Sequence, residues 1–151
     1  MISVPPIPAL GAIPGWGILR ADHRTYALDL RVTRGERAGA LSLERCAAGR
    51  MRDVYPVARH DIEVRTGRMG AGALVCLLMA VRSALADADP RCLRLLYAVP
   101  ADDLGRLAAA ESAAFRRVVD VDLGGEEHCL TVWEPASVTR RDQGLHLIPE
   151  G

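Results

Sequence analysis

Between Asp61 and Glu134 the residue pattern runs strand, glycine-rich turn, apolar helix, strand, acidic turn, helix and hairpin, and this order constrains the fold more than any other feature. Asp61-Ile62-Glu63-Val64-Arg65 alternates as a strand does. Thr66-Gly67-Arg68-Met69-Gly70-Ala71-Gly72 cannot continue it, and Ala73 to Val81 is an apolar helix. A helix that opens straight out of such a turn presents the unpaired N–H groups of its first turn, and those donors favour an anion, most often a phosphate. The same glycines also suit an ordinary turn into a helix, and the pattern alone leaves both readings open.

The rest of the chain frames this segment. With 151 residues, half of them hydrophobic, it can bury one sizeable core and is expected to be a single domain. Residues 1–17 hold Pro5, Pro6, Pro8 and Pro14 with Gly11, Gly15 and Gly17, a density that neither a helix nor a central strand tolerates. They are read as an arm whose Ile2, Val4, Ile7, Leu10, Ile13 and Trp16 pack against some surface, a partner subunit being one candidate. Residues 18–136 form the domain, and residues 137–151 a polar tail with an apolar patch at Leu145, Leu147 and Ile148.

Within the domain, Tyr26, Leu28, Leu30 and Val32 alternate with Asp29, Arg31 and Thr33. A turn at Arg34-Gly35-Glu36 then leads into Ala38 to Glu44, which predicts a hairpin. Cys46 to Asp53 reads as a polar connection and Cys92 to Val99 as a strand. Leu104 to Phe115 reads as a helix led by Asp102-Asp103, and Val118 to Leu123 and His128 to Glu134 as a closing hairpin about Gly124-Gly125.

The formal net charge is zero, which points to neither nucleic acid nor anionic lipid as a partner. Every basic side chain is Arg; the absence of Lys, like that of Asn, is a bias GC-rich genomes impose, and it removes Lys as a nucleophile. Cys46, Cys76, Cys92 and Cys129 show no C-x-x-C pair and no signal-peptide pattern precedes them, so they are expected as reduced cytoplasmic thiols. The four histidines lie far apart at no zinc-like spacing, which predicts no metal. The apolar run Ala71 to Val81 is about half the length a bilayer crossing needs, so no membrane partner is expected.

Three stretches in the right order resemble the GNAT N-acyltransferase superfamily, and within it the siderophore-biosynthesis branch that acylates N6-hydroxylysine. They are Gly39-Ala40-Leu41-Ser42-Leu43-Glu44, then Tyr55-Pro56-Val57 with Asp61 to Arg65, and Glu111-Ser112-Ala113-Ala114-Phe115-Arg116-Arg117-Val118, which is similar to the family's E-x-A-G-F-x-x-V. The resemblance implies an α/β (α+β) fold with a central mixed, mostly antiparallel sheet and flanking helices, the usual N-terminal helices being reduced or missing before Tyr26. It also implies acetyl-CoA or another acyl-CoA as cosubstrate, its pyrophosphate cradled by Gly67, Arg68, Met69, Gly70, Ala71 and Gly72, and a small amine or hydroxylamine as acceptor. A homodimer or partner protein would cover the open cleft wall.

Asp61, Glu63 and Arg65 alternate onto one strand face and are the candidate catalytic set, with Glu63 or Asp61 as base because Arg stays protonated. A solvated edge-strand ion pair is the alternative for Glu63 and Arg65. Asp102 and Asp103 lie where the family carries a functional acid, and of the two roles open to this pair a helix cap is favoured over chemistry, with Asp103 the candidate catalytic residue. The family's strand histidine falls on Arg65 and its Asn near the second helix has no counterpart, so a second function stands beside catalysis: a catalytically degenerate domain that serves as a binding, assembly or regulatory subunit.

Overall fold

The computed structural model describes residues 3–135, so the predicted tail at 137–151 lies outside the described residues. Seven strands form one sheet in the order β1-β2-β3-β4-β5-β7-β6. They are β1 (Gly17–His23), β2 (Ala27–Arg34), β3 (Arg37–Arg45), β4 (Ile62–Thr66), β5 (Leu95–Pro100), β6 (Arg116–Leu123) and β7 (Glu126–Trp133). All neighbours are antiparallel except β4 and β5, which are parallel. The crossover a parallel pair requires is supplied by α1 (Ala71–Ala88), and α2 (Leu104–Ser112) follows β5. This is the mixed, mostly antiparallel sheet with flanking helices that the sequence implied.

The two faces of the sheet are filled differently. On one, Leu74, Leu77, Leu78, Val81 and Leu85 of α1 join Leu107 and Ala110 of α2 over Leu41, Leu43, Ile62, Val64, Leu95, Tyr97 and Val99, the inward half of each strand's alternation. On the other, Cys46 and Met51, from two short 3-10 turns at Cys46–Ala48 and Arg50–Asp53, cover Leu96, Leu130 and Val132. Burial of each such large side chain contributes about 1.5–3 kcal/mol. By length and a mean hydropathy of 1.6, α1 could cross a bilayer, yet its leucines lie within the core of this domain.

The proline-rich arm packs onto its own domain. Ile7, Leu10, Ile13 and Trp16 enter the helix-side core beside Leu28, Leu30 and Val32, and Ile7 N–H donates to Thr25 O at 2.8 Å. Arg45, 2% exposed, fixes the arm from below. Its guanidinium donates to Pro5 O, Pro6 O and His60 O at 2.7–3.3 Å and lies 2.7 Å from Asp89 Oδ2. The arm thus occupies apolar surface of its own domain.

Element ends depart from the sequence reading for local reasons. β1 has no predicted counterpart, because it is an edge strand exposed over nearly its whole length and lacks alternation. β5 begins at Leu95 rather than Cys92, since Cys92 N–H closes a turn onto Asp89 O. α2 ends at Ser112: Ala114 takes φ 69°, and Phe115 N–H returns to Ala110 O, a left-handed helix stop. Tyr26 sits in the β1–β2 turn and is 40% exposed instead of facing the core. Gly124 and Gly125, at φ 62° and 86°, form the predicted turn between β6 and β7, where two consecutive positive φ values favour glycine.

Candidate functional site

The loop Gly67–Gly70 joins the end of β4 to α1. Gly67 N–H donates to Ala40 O of β3, which holds the loop against the sheet. Gly70 is the N-cap: its carbonyl accepts from Leu74 N–H at 2.9 Å, no side chain caps the helix, and no acidic residue occupies the first turn. The first N–H groups of α1 are therefore left to solvent or a ligand. Ala71 and Gly72, read from the sequence as turn residues, are the first two residues of the helix instead, because nothing in a small side chain resists the helical turn there.

Two of these glycines do not hold a backbone conformation that demands glycine. Gly70 has φ −63°, Gly72 is helical, and a Cβ added at either meets no atom within 4 Å. Gly72 lies inside the helix, where glycine costs about 0.5–1 kcal/mol relative to alanine, and with no side chain at either position the space above the helix N-terminus is open. Arg68 is exposed at its rim and Met69 half-buried beneath it. A cavity of about 430 Å³ opens between this loop, Trp16, and Arg37 to Gly39 at the start of β3.

Beside the loop the sheet opens. β4 and β5 are registered only at Ile62↔Leu95 and Glu63↔Leu96, so from Val64 and Tyr97 onward they carry no mutual pairing. Backbone groups along such a gap need other partners. Across it Tyr97 O–H and Thr66 Oγ1 lie 2.6 Å apart. Burial pushes the Tyr97 phenol above its ordinary pKa, partly offset by the hydrogen bond with Thr66, so the phenol keeps its proton at neutral pH. The uncapped helix terminus, the arginine at its rim and the open strand edge fit a pyrophosphate attached to an extended amide-bearing arm.

The predicted catalytic side chains are placed less freely. Asp61 precedes β4 and is fully buried, its Oδ2 accepting from Arg94 Nη2 at 2.5 Å, Arg94 Nε at 3.1 Å and Ala58 N–H at 2.8 Å. Glu63, 1% exposed, receives Arg50 Nη2 at 2.6 Å and Nε at 3.2 Å, with Arg65 Nε 3.4 Å away. Arg65 in turn donates to Glu44 at 2.6 Å. Glu63 and Arg65 therefore meet in one ion network with Arg50 and Glu44, whereas Asp61 is tied separately to Arg94. Asp103 caps α2, accepting from Arg106 N–H at 3.0 Å.

Sequence reasoning missed Arg50 and Arg94, which neutralise the two acids from 13 and 33 residues away, and Trp16 and Arg37, which wall the cavity. The only local trace of the latter was two arginines flanking the turn Gly35-Glu36. Among the described residues no group of His, Cys, Asp and Glu could hold a metal ion, and the four cysteines are free.

No protein-family model and no curated protein sequence matches the chain. Solved structures do. The aminoglycoside acetyltransferase AAC(6')-Ib in complex with coenzyme A and kanamycin aligns with a TM-score of 0.65 at 14% identity over 76% of this chain and 70% of its own. An uncharacterized protein from Bacillus halodurans gives 0.69 at 13% identity over 80% and 65%. Mycobacterium smegmatis RimJ in complex with CoA-disulfide gives 0.56 at 15% identity over 76% and 56%. The strand order, the parallel β4–β5 pair and the helix between them are thus those of a GNAT-like α/β fold, which this chain shares with acetyltransferases.

Proposed function

We propose that this protein is an acyl-CoA-dependent N-acyltransferase acting on an amine or hydroxylamine of a small metabolite. The observation that carries this reading is the glycine-floored, uncapped N-terminus of α1 beside the splayed β4–β5 edge. The first-turn N–H groups from Ala71 on, with Arg68, would hold the pyrophosphate, and the β5-facing edge of β4 beyond Glu63 would receive the amides of the pantetheine arm. When bound, acyl-CoA supplies the thioester carbonyl that the acceptor nitrogen attacks. Tyr97, protonated and held by Thr66 across the gap, would give its proton to the departing sulfur and be reprotonated by the proton the acceptor nitrogen sheds.

The state of the carboxylates bears on the acceptor. With Asp61 and Glu63 each clasped by arginine and Asp103 capping α2, no candidate acid is free to deprotonate an alkyl ammonium, whose ordinary value is about 10. A hydroxylamine nitrogen is already unprotonated at neutral pH and needs no such base. This favours a hydroxylamine acceptor of the kind used in siderophore or other specialised metabolism, and a cytoplasmic setting where acyl-CoA is found. In this reading Glu63 positions Arg65 and Arg50 and does not move a proton.

The same clasped carboxylates favour a second reading, a catalytically degenerate domain that binds its ligand and serves as an assembly or regulatory subunit, as a homodimer or with a partner protein. Calorimetry with CoA, followed by thiol release from acetyl-CoA with matched amine and hydroxylamine acceptors, separates the readings. Micromolar CoA binding with turnover of the hydroxylamine is the expected result. Binding without turnover of any acceptor selects the second reading, and no CoA binding overturns the first. Glu63→Gln should retain turnover within about tenfold; a loss of about 10²–10⁴ would restore Glu63 as the base.

A further inference from the structure

Beyond the helix terminus, the β2–β3 hairpin and the end of the arm build a second basic surface. Two adjoining cavities, of about 430 and 380 Å³, share Trp16, Arg37 and Ala73 as walls; Arg68 lines the first and Arg34 the second, and no carboxylate lines either. Glu36, at the hairpin tip, is not among the lining residues.

The charge here is of one sign. Nine arginines pair with a carboxylate: Arg24, Arg45, Arg50, Arg52, Arg65, Arg94, Arg106, Arg116 and Arg117. Among the described residues Arg20, Arg31, Arg34, Arg37, Arg59, Arg68, Arg82 and Arg91 make no such pair, and of these Arg34, Arg37 and Arg68 come together around the two cavities, where no carboxylate answers them. Arg34 instead lies over the Trp16 ring at 5.9 Å, and Met69 and Ala73 supply apolar wall beside it. An apolar floor with unpaired guanidinium groups at its rim suits a flat heterocycle that carries a phosphate.

We propose that this surface is a second phosphate subsite, in which Arg37, with Arg34 beside it, takes the 3′-phosphate of the acyl donor's adenosine while Trp16, Met69 and Ala73 form the floor under the nucleoside. The proposal rests on the acyl-CoA reading above and adds to it a specificity for the phosphorylated nucleotide end. It assigns the arm a binding role through Trp16 as well as a packing one, since Trp16 is a wall of both cavities.

The test is calorimetry of the full chain with CoA and with 3′-dephospho-CoA, for wild type, Arg37→Ala and Arg37→Lys. Arg37 is exposed, so its removal leaves the fold intact, which a thermal melt checks. Wild type should bind CoA roughly tenfold or more tightly than dephospho-CoA, the scale of one charge-assisted contact. Arg37→Ala should erase that difference by weakening CoA alone, and Arg37→Lys should restore part of it. Equal wild-type affinity for the two ligands, or an Arg37→Ala loss that falls on both alike, overturns the subsite while leaving the acyl-CoA reading standing. Wild-type binding to neither ligand overturns the acyl-CoA reading and the subsite with it.

Discussion

Gly70→Asp pits fold stability against ligand binding. Gly70 is the N-cap of α1, has an ordinary φ of −63°, contributes no capping side chain, and has nothing within 4 Å of where its Cβ would be. Aspartate is a preferred N-cap, worth a few tenths of a kcal/mol over glycine there. A negative charge at a helix N-terminus adds about 0.3–1 kcal/mol. The variant should therefore be more stable than wild type by about 0.5–1 kcal/mol, a rise of roughly 1–4 °C in Tm at this chain length. If the loop holds a phosphate, the same carboxylate stands roughly 4 Å from it, a repulsion of about 1 kcal/mol in bulk water and about 4 kcal/mol at the effective dielectric of a protein surface. CoA affinity should then fall by about fivefold to 10³-fold, with part of the loss recovered by added salt. Calorimetry with CoA and a thermal melt on the same preparation measure both quantities, and Gly70→Ala supplies the uncharged control for the same volume. Unchanged CoA affinity in a folded Gly70→Asp variant would refute the phosphate argument, and a lowered Tm would refute the capping argument.

Other consequences follow from the packing. Arg45→Ala strands Asp89 and four arm and loop contacts around a guanidinium that is 2% exposed, and should cost about 3–5 kcal/mol, read as a shift in the urea midpoint. Ala114 holds a left-handed φ of 69°, so Ala114→Gly should stabilise by about 0.5–1 kcal/mol, seen as a higher Tm; destabilisation would show that the strain is not where the backbone places it. The Cys92 thiol is pushed by burial, and next by Asp89, from 9.0 to about 12. Because its folded value is raised, the contribution to stability is complete below the unfolded value and is lost as pH rises from about 9 towards 12, which alkaline unfolding curves of wild type and Cys92→Ala would register. Native protein at neutral pH should accordingly leave Cys92 unlabelled by thiol reagents that react on unfolding.

Much of the architecture was legible because it is encoded locally. The alternation in Leu28, Leu30 and Val32, the glycine pair at Gly124-Gly125, and the turn from Arg65 into the apolar run at Ala73 each announce an element through residues that touch one another in sequence. β1 was not legible, since an edge strand with one partner and almost no buried side chain leaves no periodic trace. The end of α2 was missed because its stop signal is an alanine, not a glycine, in the left-handed conformation.

The candidate site divides along the same line. Sequence alone determined the glycine loop, its position between a strand and a helix, and hence the free N–H groups at the start of α1, because donors at a helix terminus follow from helix geometry and need no distant partner. Only the tertiary structure decided what the charges do. The alternation of Asp61, Glu63 and Arg65 gave them a common side of the strand, but whether an acid is free depends on who reaches it, and Arg94 and Arg50 arrive from β5's approach and the 3-10 turn. The unpaired arginines beside Trp16 likewise come from a hairpin tip and an arm that meet only when the chain is folded. Coulomb energy depends on distances in space, which spacing along a chain does not supply.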